Sequence, residues 1–164
     1  MSIKTKDRHI SKRHSLYKAR ELMGYILVLT RPREFDKDGK QICKPGLLGE
    51  GQPLQAFGLD IIKCGKGIHA CCYEASKINL KDKDTLTKRN EYHNKAIEYC
   101  DSIFRQIDLC IFQYAQNSKK KRRSFEHLAR LTKVTKEAIQ DRKNRDKLIL
   151  EHSYKQTKSF RRGR

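Results

Sequence analysis

The sequence predicts an all-α fold: an antiparallel, up-down-up-down four-helix bundle with a long irregular insert between helices 1 and 2. Three features predict it. Apolar residues recur at alternating steps of three and four in four separate segments. Strand-like patterning is confined to one stretch rich in turn residues. The connections after the second and third segments are short, as between antiparallel neighbours. At 164 residues the chain has the size of one domain with a real core.

The first helix is expected over Ser15 to Thr30, with Leu22, Tyr25, Ile26 and Leu29 sharing a face and Pro32 ending it. The second has the most regular stripe: Leu54, Phe57, Ile61, Cys64, Ile68, Cys71, Ala75 and Ile78. Gly65 and Gly67 within it either lower its propensity or admit a close helix–helix approach. The third starts near Thr85 or Lys88 and ends near Gln116, with His93, Ile97, Cys100, Phe104, Ile107, Ile111 and Tyr114 inward. The fourth is expected to begin at Ser124 as N-cap, with Phe125, Leu128, Leu131, Thr135, Ala138 and Ile139 inward. Its apolar pattern thins after Asp141 and returns at Leu148 to Leu150, so it either runs on as a charged extension or breaks.

Around these helices the sequence places three further segments. Residues 1–14 form a basic N-terminal arm, and residues 15–151 hold the bundle. Residues 152–164 form a basic, loose C-terminal tail. The insert, 31–53, contains Asp38-Gly39, further glycines and two more prolines. It reads as a long loop that can hold a small hairpin.

Most chemistries find no support. The six cysteines form no C-x-x-C pair and read as reduced thiols filling a core. "CGKGIH" lacks the hydroxyl residue of a phosphate loop, "GLLGEG" follows no strand, and "DKDG" lacks the closing glutamate of a calcium loop. The six histidines make no H-x-x-x-H or H-E-x-x-H pair, and Glu98, Asp101 and Asp108 form no stepped acid–base pair. The sequence therefore predicts a protein that is not an enzyme, with no catalytic residues, no metal and no cofactor. No apolar run approaches the ~20 residues needed to span a bilayer. "MSIKTKDRHISKRHS" lacks the apolar core of a secretory signal. A cytoplasmic protein without membrane association is expected.

Charge is the positive observation. Lys and Arg number 38 against 19 Asp and Glu, a formal charge of +19. Like charges repel across a folded surface, so an imbalance of this size points to a polyanionic partner. It is concentrated in the N-terminal stretch, in the run Lys119 to Arg123, and in the final segment. Any one lysine is ordinarily just solvated; the clustering is what points to nucleic acid. The residues expected to bind it are Lys12, Arg13, Lys18, Arg20, Lys119, Lys120, Lys121, Arg122, Arg123, Arg130, Lys133 and Lys136. The last three step by three along the face opposite the apolar stripe. No helix-turn-helix, zinc finger or aromatic RNA-reading motif occurs, so recognition of backbone and shape is expected, on structured RNA or on duplex DNA.

The order and pattern of "SLYKARELMGYILVLTRPREF", "LQAFGLDIIKCGKGIHACCYEASKIN", "YHNKAIEYCDSIFRQIDLCIFQYA" and "SFEHLARLTKVTKEAIQ" resemble the accessory variability proteins of diversity-generating retroelements. They are also similar to the four-helix-bundle proteins encoded in ribosomal-RNA intervening sequences. Together these stretches cover most of Ser15 to Gln140. The resemblance implies a barrel-forming homopentamer. Such a protein binds a reverse transcriptase and its structured template RNA in a ribonucleoprotein and supports mutagenic cDNA synthesis. The chain departs from that pattern in its insert, its basic arm and its extended C-terminus. The alternative is a stand-alone phage or plasmid DNA-binding protein that grips the phosphate backbone.

Overall fold

The computed structural model describes residues 14–163. The described chain is all-α, built on four helices: α1 (Ser15–Leu29), α2 (Leu54–Lys77), α3 (Lys83–Tyr114) and α4 (Lys119–Arg162). None of them is long and apolar enough to cross a membrane. Two short strands, β1 (Glu34–Phe35) and β2 (Gln41–Cys43), form an antiparallel hairpin inside the insert. The Asp38-Gly39 turn closes it, with Gly39 N–H donating to Asp36 O at 3.1 Å.

Three of the four helices start on a side-chain cap. His14 caps α1, its Nδ1 accepting from Leu16 N–H at 3.3 Å. Asp82 caps α3 through a reciprocal box. Its carboxylate accepts from Thr85 N–H at 2.8 Å, and Thr85 Oγ1 accepts from Asp82 N–H at 3.0 Å. That box starts α3 a few residues before the apolar pattern does. The fourth helix corrects the expectation more sharply. Its N-cap is Ser118, whose Oγ accepts from Lys121 N–H at 3.4 Å. Ser124 lies more than a turn inside, its hydroxyl donating to Lys120 O at 3.4 Å. The basic run is therefore helical, and the α3–α4 connection is only Ala115 to Ser118. At the other end α4 continues unbroken to Arg162, where a loose tail was expected from His152. Helix propagation adds one hydrogen bond per residue without a new nucleus, so a seated helix extends over polar sequence.

The core draws on all four helices and on the insert. α1 buries Ala19, Leu22, Ile26 and Leu29, and α2 buries Ile61, Cys64, Ile68, Cys71, Cys72 and Ala75. α3 buries Ala96, Cys100, Ile103, Ile107 and Cys110. Ile97, Ile111 and Tyr114, expected innermost, are only half-buried. His93, Cys100 and Ile107 are buried as expected, while Ala96, Ile103 and Cys110 take the places expected of Ile97, Phe104 and Ile111; α3 contacts both α2 and α4, and its deepest line falls between the two. α4 buries Phe125, Leu128, Thr132, Thr135, Ile139, Asp146 and Leu150. From the insert, Leu48 is buried and packs against Gly58 of α2. Five cysteines are buried and unbridged, and Cys43 is half-buried. Burial pushes the thiols of Cys72 and Cys100 up to about 12 and that of Cys110 to about 11, which keeps them protonated and unreactive.

Contacts run in opposite directions along neighbouring helices. Tyr25 OH donates to Ser124 O at 3.2 Å, while Thr135 Oγ1 donates to Lys18 O at 3.3 Å. Phe57 meets Tyr114 edge-on at 6.1 Å. Gly65 and Gly67 make the close approaches. A Cβ on Gly65 would lie 2.7 Å from Ile26 Cδ1, and one on Gly67 would lie 2.5 Å from the Tyr99 ring. Gly24, exposed in the middle of α1, has nothing within 4 Å of its would-be Cβ.

This contrast gives a paired test. Gly24→Ala should stabilise by about 0.5–1 kcal/mol through helix propensity alone. Gly65→Ala should destabilise by about 1 kcal/mol or more, because overpacking outweighs the same propensity gain. Urea unfolding of both variants checks the signs.

Candidate nucleic-acid interface

α4 carries most of the charge. It has 16 Lys and Arg against 5 Asp and Glu, so one helix supplies +11 of the chain's +19. Its buried stripe fixes which residues point away. At 100° per residue, Lys119, Arg123 and Arg130 share the side opposite Phe125 and Leu128, and all three are exposed. Lys120 is exposed beside them, and none of these four makes an ion pair among the described residues. Arg122 is exposed but tied to Glu126 (Nε to Oε1, 3.3 Å). Lys121 is half-buried on the core side.

The expected outward trio does not stay together. Each step of three turns the side chain by about 60° toward α3. Arg130 points out, Lys133 is exposed on the flank, and Lys136 is half-buried with Nζ 2.7 Å from Asp101 Oδ1. Lys136 is thus an interhelical tie rather than part of the outer ridge. Lys18 is half-buried and pairs with Glu21 at 3.2 Å, while Arg20 is exposed. Both belong to the level of Thr135, about 18 Å along α4 from Arg123. Lys12 and Arg13 lie outside the described residues. The cations therefore form one ridge at the start of α4 and a separate, partly paired set near the start of α1.

The ridge sits where its charge is least welcome to the fold. The first turn of a helix carries the positive end of the macrodipole and unpaired N–H groups, so cations there are unfavourable and an anion is favourable. Lys119, Lys120 and Lys121 occupy that turn, and no acidic residue does.

A second charged feature was not foreseen. Asp146 is completely buried between Arg89 and Arg142, with Nε to carboxylate distances of 3.1 and 3.3 Å. These are ion-pair distances, but the Nε–H groups do not aim at the oxygens, so the attraction is coulombic rather than directional. His93 is buried beside them, its Nδ1 without a partner among the described residues. Burial first, then Arg89, Arg142, Lys143 and His14, push the His93 imidazole down to about 4. His14 is lowered as well, mainly by burial. Burial raises Asp146, while the two guanidiniums pull it back. The cluster joins the start of α1, the first half of α3 and the second half of α4. With its imidazoles neutral and its carboxylate enclosed, it is a tie between helices. Among the described residues no group of three or more His, Cys, Asp or Glu could hold a metal ion.

Comparison with family models, with curated proteins and with solved structures finds no match to this chain.

The cluster predicts two outcomes. Unfolded His93 takes up a proton near 6.5, the folded protein only near 4. Between those values the unfolded chain binds more protons. Stability should therefore be full above about pH 6.5 and fall toward pH 4, with a slope of at most about 1.4 kcal/mol per pH unit from this group. His14 adds to that fall. Asp146 opposes it, because its raised value gives a contribution present below 3.8 and lost as pH rises through the folded value. Melting curves of His93→Gln should show a flatter acid limb than the parent. Separately, Asp146→Ala should cost about 3 kcal/mol or more, roughly 10 °C in Tm, by leaving buried Arg89 uncompensated.

Proposed function

We propose that this protein is a non-enzymatic nucleic-acid-binding accessory subunit. On this reading it holds the structured template RNA of a diversity-generating retroelement for a reverse transcriptase, as a homo-oligomer. The observation that carries nucleic-acid binding is the ridge of Lys119, Lys120, Arg123 and Arg130, exposed at the positive end of α4. The antiparallel up-down-up-down bundle belongs to the same proposal. Opposed contacts along each neighbouring helix pair support it, as does the contact circuit of α1 with α2, α2 with α3, α3 with α4 and α4 with α1. In such a bundle the hairpin insert, with Arg31, Arg33, Lys37, Lys40 and Lys44, shares an end with the ridge. In a ring of parallel copies the ridge repeats around one rim. The polymerase and retroelement role rests on the resemblance of helix order and pattern described above.

A stand-alone DNA-binding role uses the same backbone contacts, since the sequence holds no helix-turn-helix or zinc-finger motif. Salt titration of binding to a structured RNA and to duplex DNA of equal length separates the two readings, with light-scattering mass on the same sample. RNA preference, a log–log slope near −4 or steeper for ~6 phosphate contacts, and a mass that is a multiple of the chain support the accessory subunit. Equal duplex binding by a monomer replaces it with the DNA-binding role. Converting Lys119 to Arg123 together to alanine should weaken binding sharply and flatten the slope while the circular dichroism stays helical. Unchanged affinity would remove the ridge as the binding surface.

A further inference from the structure

Beside the basic run, the last turns of α3 present an aromatic ring to solvent. Phe112 is 65% exposed, more than Phe35, Tyr73 or Tyr154. It lies off the α3 core line, at a position where burial does not explain a phenyl ring. It lines a groove of about 390 Å³ with Asp108, Ile111, Gln116 and Arg122. Arg122 of the groove directly precedes Arg123 of the ridge along α4, so whatever occupies one is within a side chain of the other.

We propose that this groove receives an unpaired base of a single nucleic-acid strand, stacked on Phe112, while the ridge holds the flanking phosphates. The inference rests on the nucleic-acid reading above and adds to it the state of the strand. Charge assigns the parts. The groove holds one carboxylate, Asp108, and one guanidinium, Arg122, whose Nε lies 3.3 Å from Glu126 on its outer side. It is thus no place for a phosphate. A neutral, planar, polar ring suits it: an aromatic face to stack on, a carboxylate that accepts from base N–H groups, and a Gln116 amide that can donate or accept. The phosphates fall on Lys119, Lys120 and Arg123, which are exposed and without ion pairs among the described residues. Stacking on an exposed ring next to a cationic track is how sequence-tolerant single-strand binding works, and every base has a face to offer. A base within a duplex has both faces covered and cannot enter.

The test compares oligouridylate, oligothymidylate and a DNA duplex of equal length on the full chain, with the parent, Phe112→Ala, Phe112→Tyr and the five-residue alanine variant of the ridge. Phe112→Ala should weaken both single strands about tenfold or more and leave the duplex unchanged, and Phe112→Tyr should retain parental affinity. The chain has no tryptophan, so fluorescence of a Phe112→Trp variant, quenched by the single strand and not by the duplex, reports the stack directly. Equal loss on all three ligands, or no loss on any, overturns the proposal. So does a drop in light-scattering mass for Phe112→Ala, which would make the ring part of a contact between copies. If instead the ridge variant binds all three as the parent does, the nucleic-acid surface itself is misplaced, a failure distinct from that of the base site.

Discussion

Burial of a single stripe on α4, from Phe125 through Leu128, Thr132, Thr135 and Ile139 to Leu150, orders most of what surrounds it. The stripe packs against both α1 and α3, so it sets the rotation of a 44-residue helix about its axis. Rotation then decides which of the sixteen cations face water and which face a neighbouring helix. Lys119, Arg123 and Arg130 face outward because Phe125 and Leu128 face inward. Lys136 meets Asp101 because it lies on the flank beside α3. The proposed binding ridge is in this sense a product of the core.

The same stripe carries a carboxylate. Asp146 stands seven residues after Ile139 and four before Leu150, in register with the apolar positions. An apolar residue there would pack with less desolvation cost, since a buried ion pair seldom adds net stability. What the carboxylate supplies is selectivity of partner. Arg89 is itself buried, and only a charge aligned with it on α4 compensates it. A slip of α4 by one turn would leave both uncompensated. Neutral His93 and His14 fit the same site, because further positive charge beside two guanidiniums is disfavoured.

Much of this fold is legible in the sequence, unevenly and for physical reasons. The α2 stripe reads cleanly because Ile61, Cys64, Ile68, Cys71 and Ala75 meet one continuous surface, and its two glycines sit where neighbouring side chains come close. α3 reads correctly at His93, Cys100 and Ile107 and one residue off at Ile97, Phe104 and Ile111, because its inward side is shared between two neighbours. The start of α4 is hidden because a run of five cations resembles a solvated junction, although lysine and arginine are good helix formers and Ser118 stands directly before them. The candidate site divides in the same way. The charge of Lys119 to Arg123 is plain in the sequence, but its placement on one helical side is not. Asp146 and Arg89 are invisible because charged residues are presumed exposed. Only their spacing to Leu150 and His93 hints otherwise. Phe112 could not be singled out from sequence, since it differs from a core aromatic only in facing outward.

The two ends of α4 show why its charge is not simply a solubilising coat. At the C-terminal end, Arg161 and Arg162 occupy the last turn, at the negative pole of the helix, where cations stabilise it by about 0.3–1 kcal/mol each at low ionic strength. The helix also outruns its support: α4 is about 66 Å long by helical rise and α3 about 48 Å, and the described side chains after Leu150 are exposed. Favourable end charges help to keep so long a projection helical. At the N-terminal end the sign reverses. Lys119, Lys120 and Lys121 face the positive pole, where each costs a comparable amount, and Ser118 caps the turn without adding a negative charge. Fold stability therefore accounts for the cations at one end of this helix and opposes those at the other. An anion docked at the first turn would meet the cations, the dipole and the unpaired N–H groups together and would offset the cost of all three. It is at that end, where the charge works against the helix, that Phe112 and its groove open beside it.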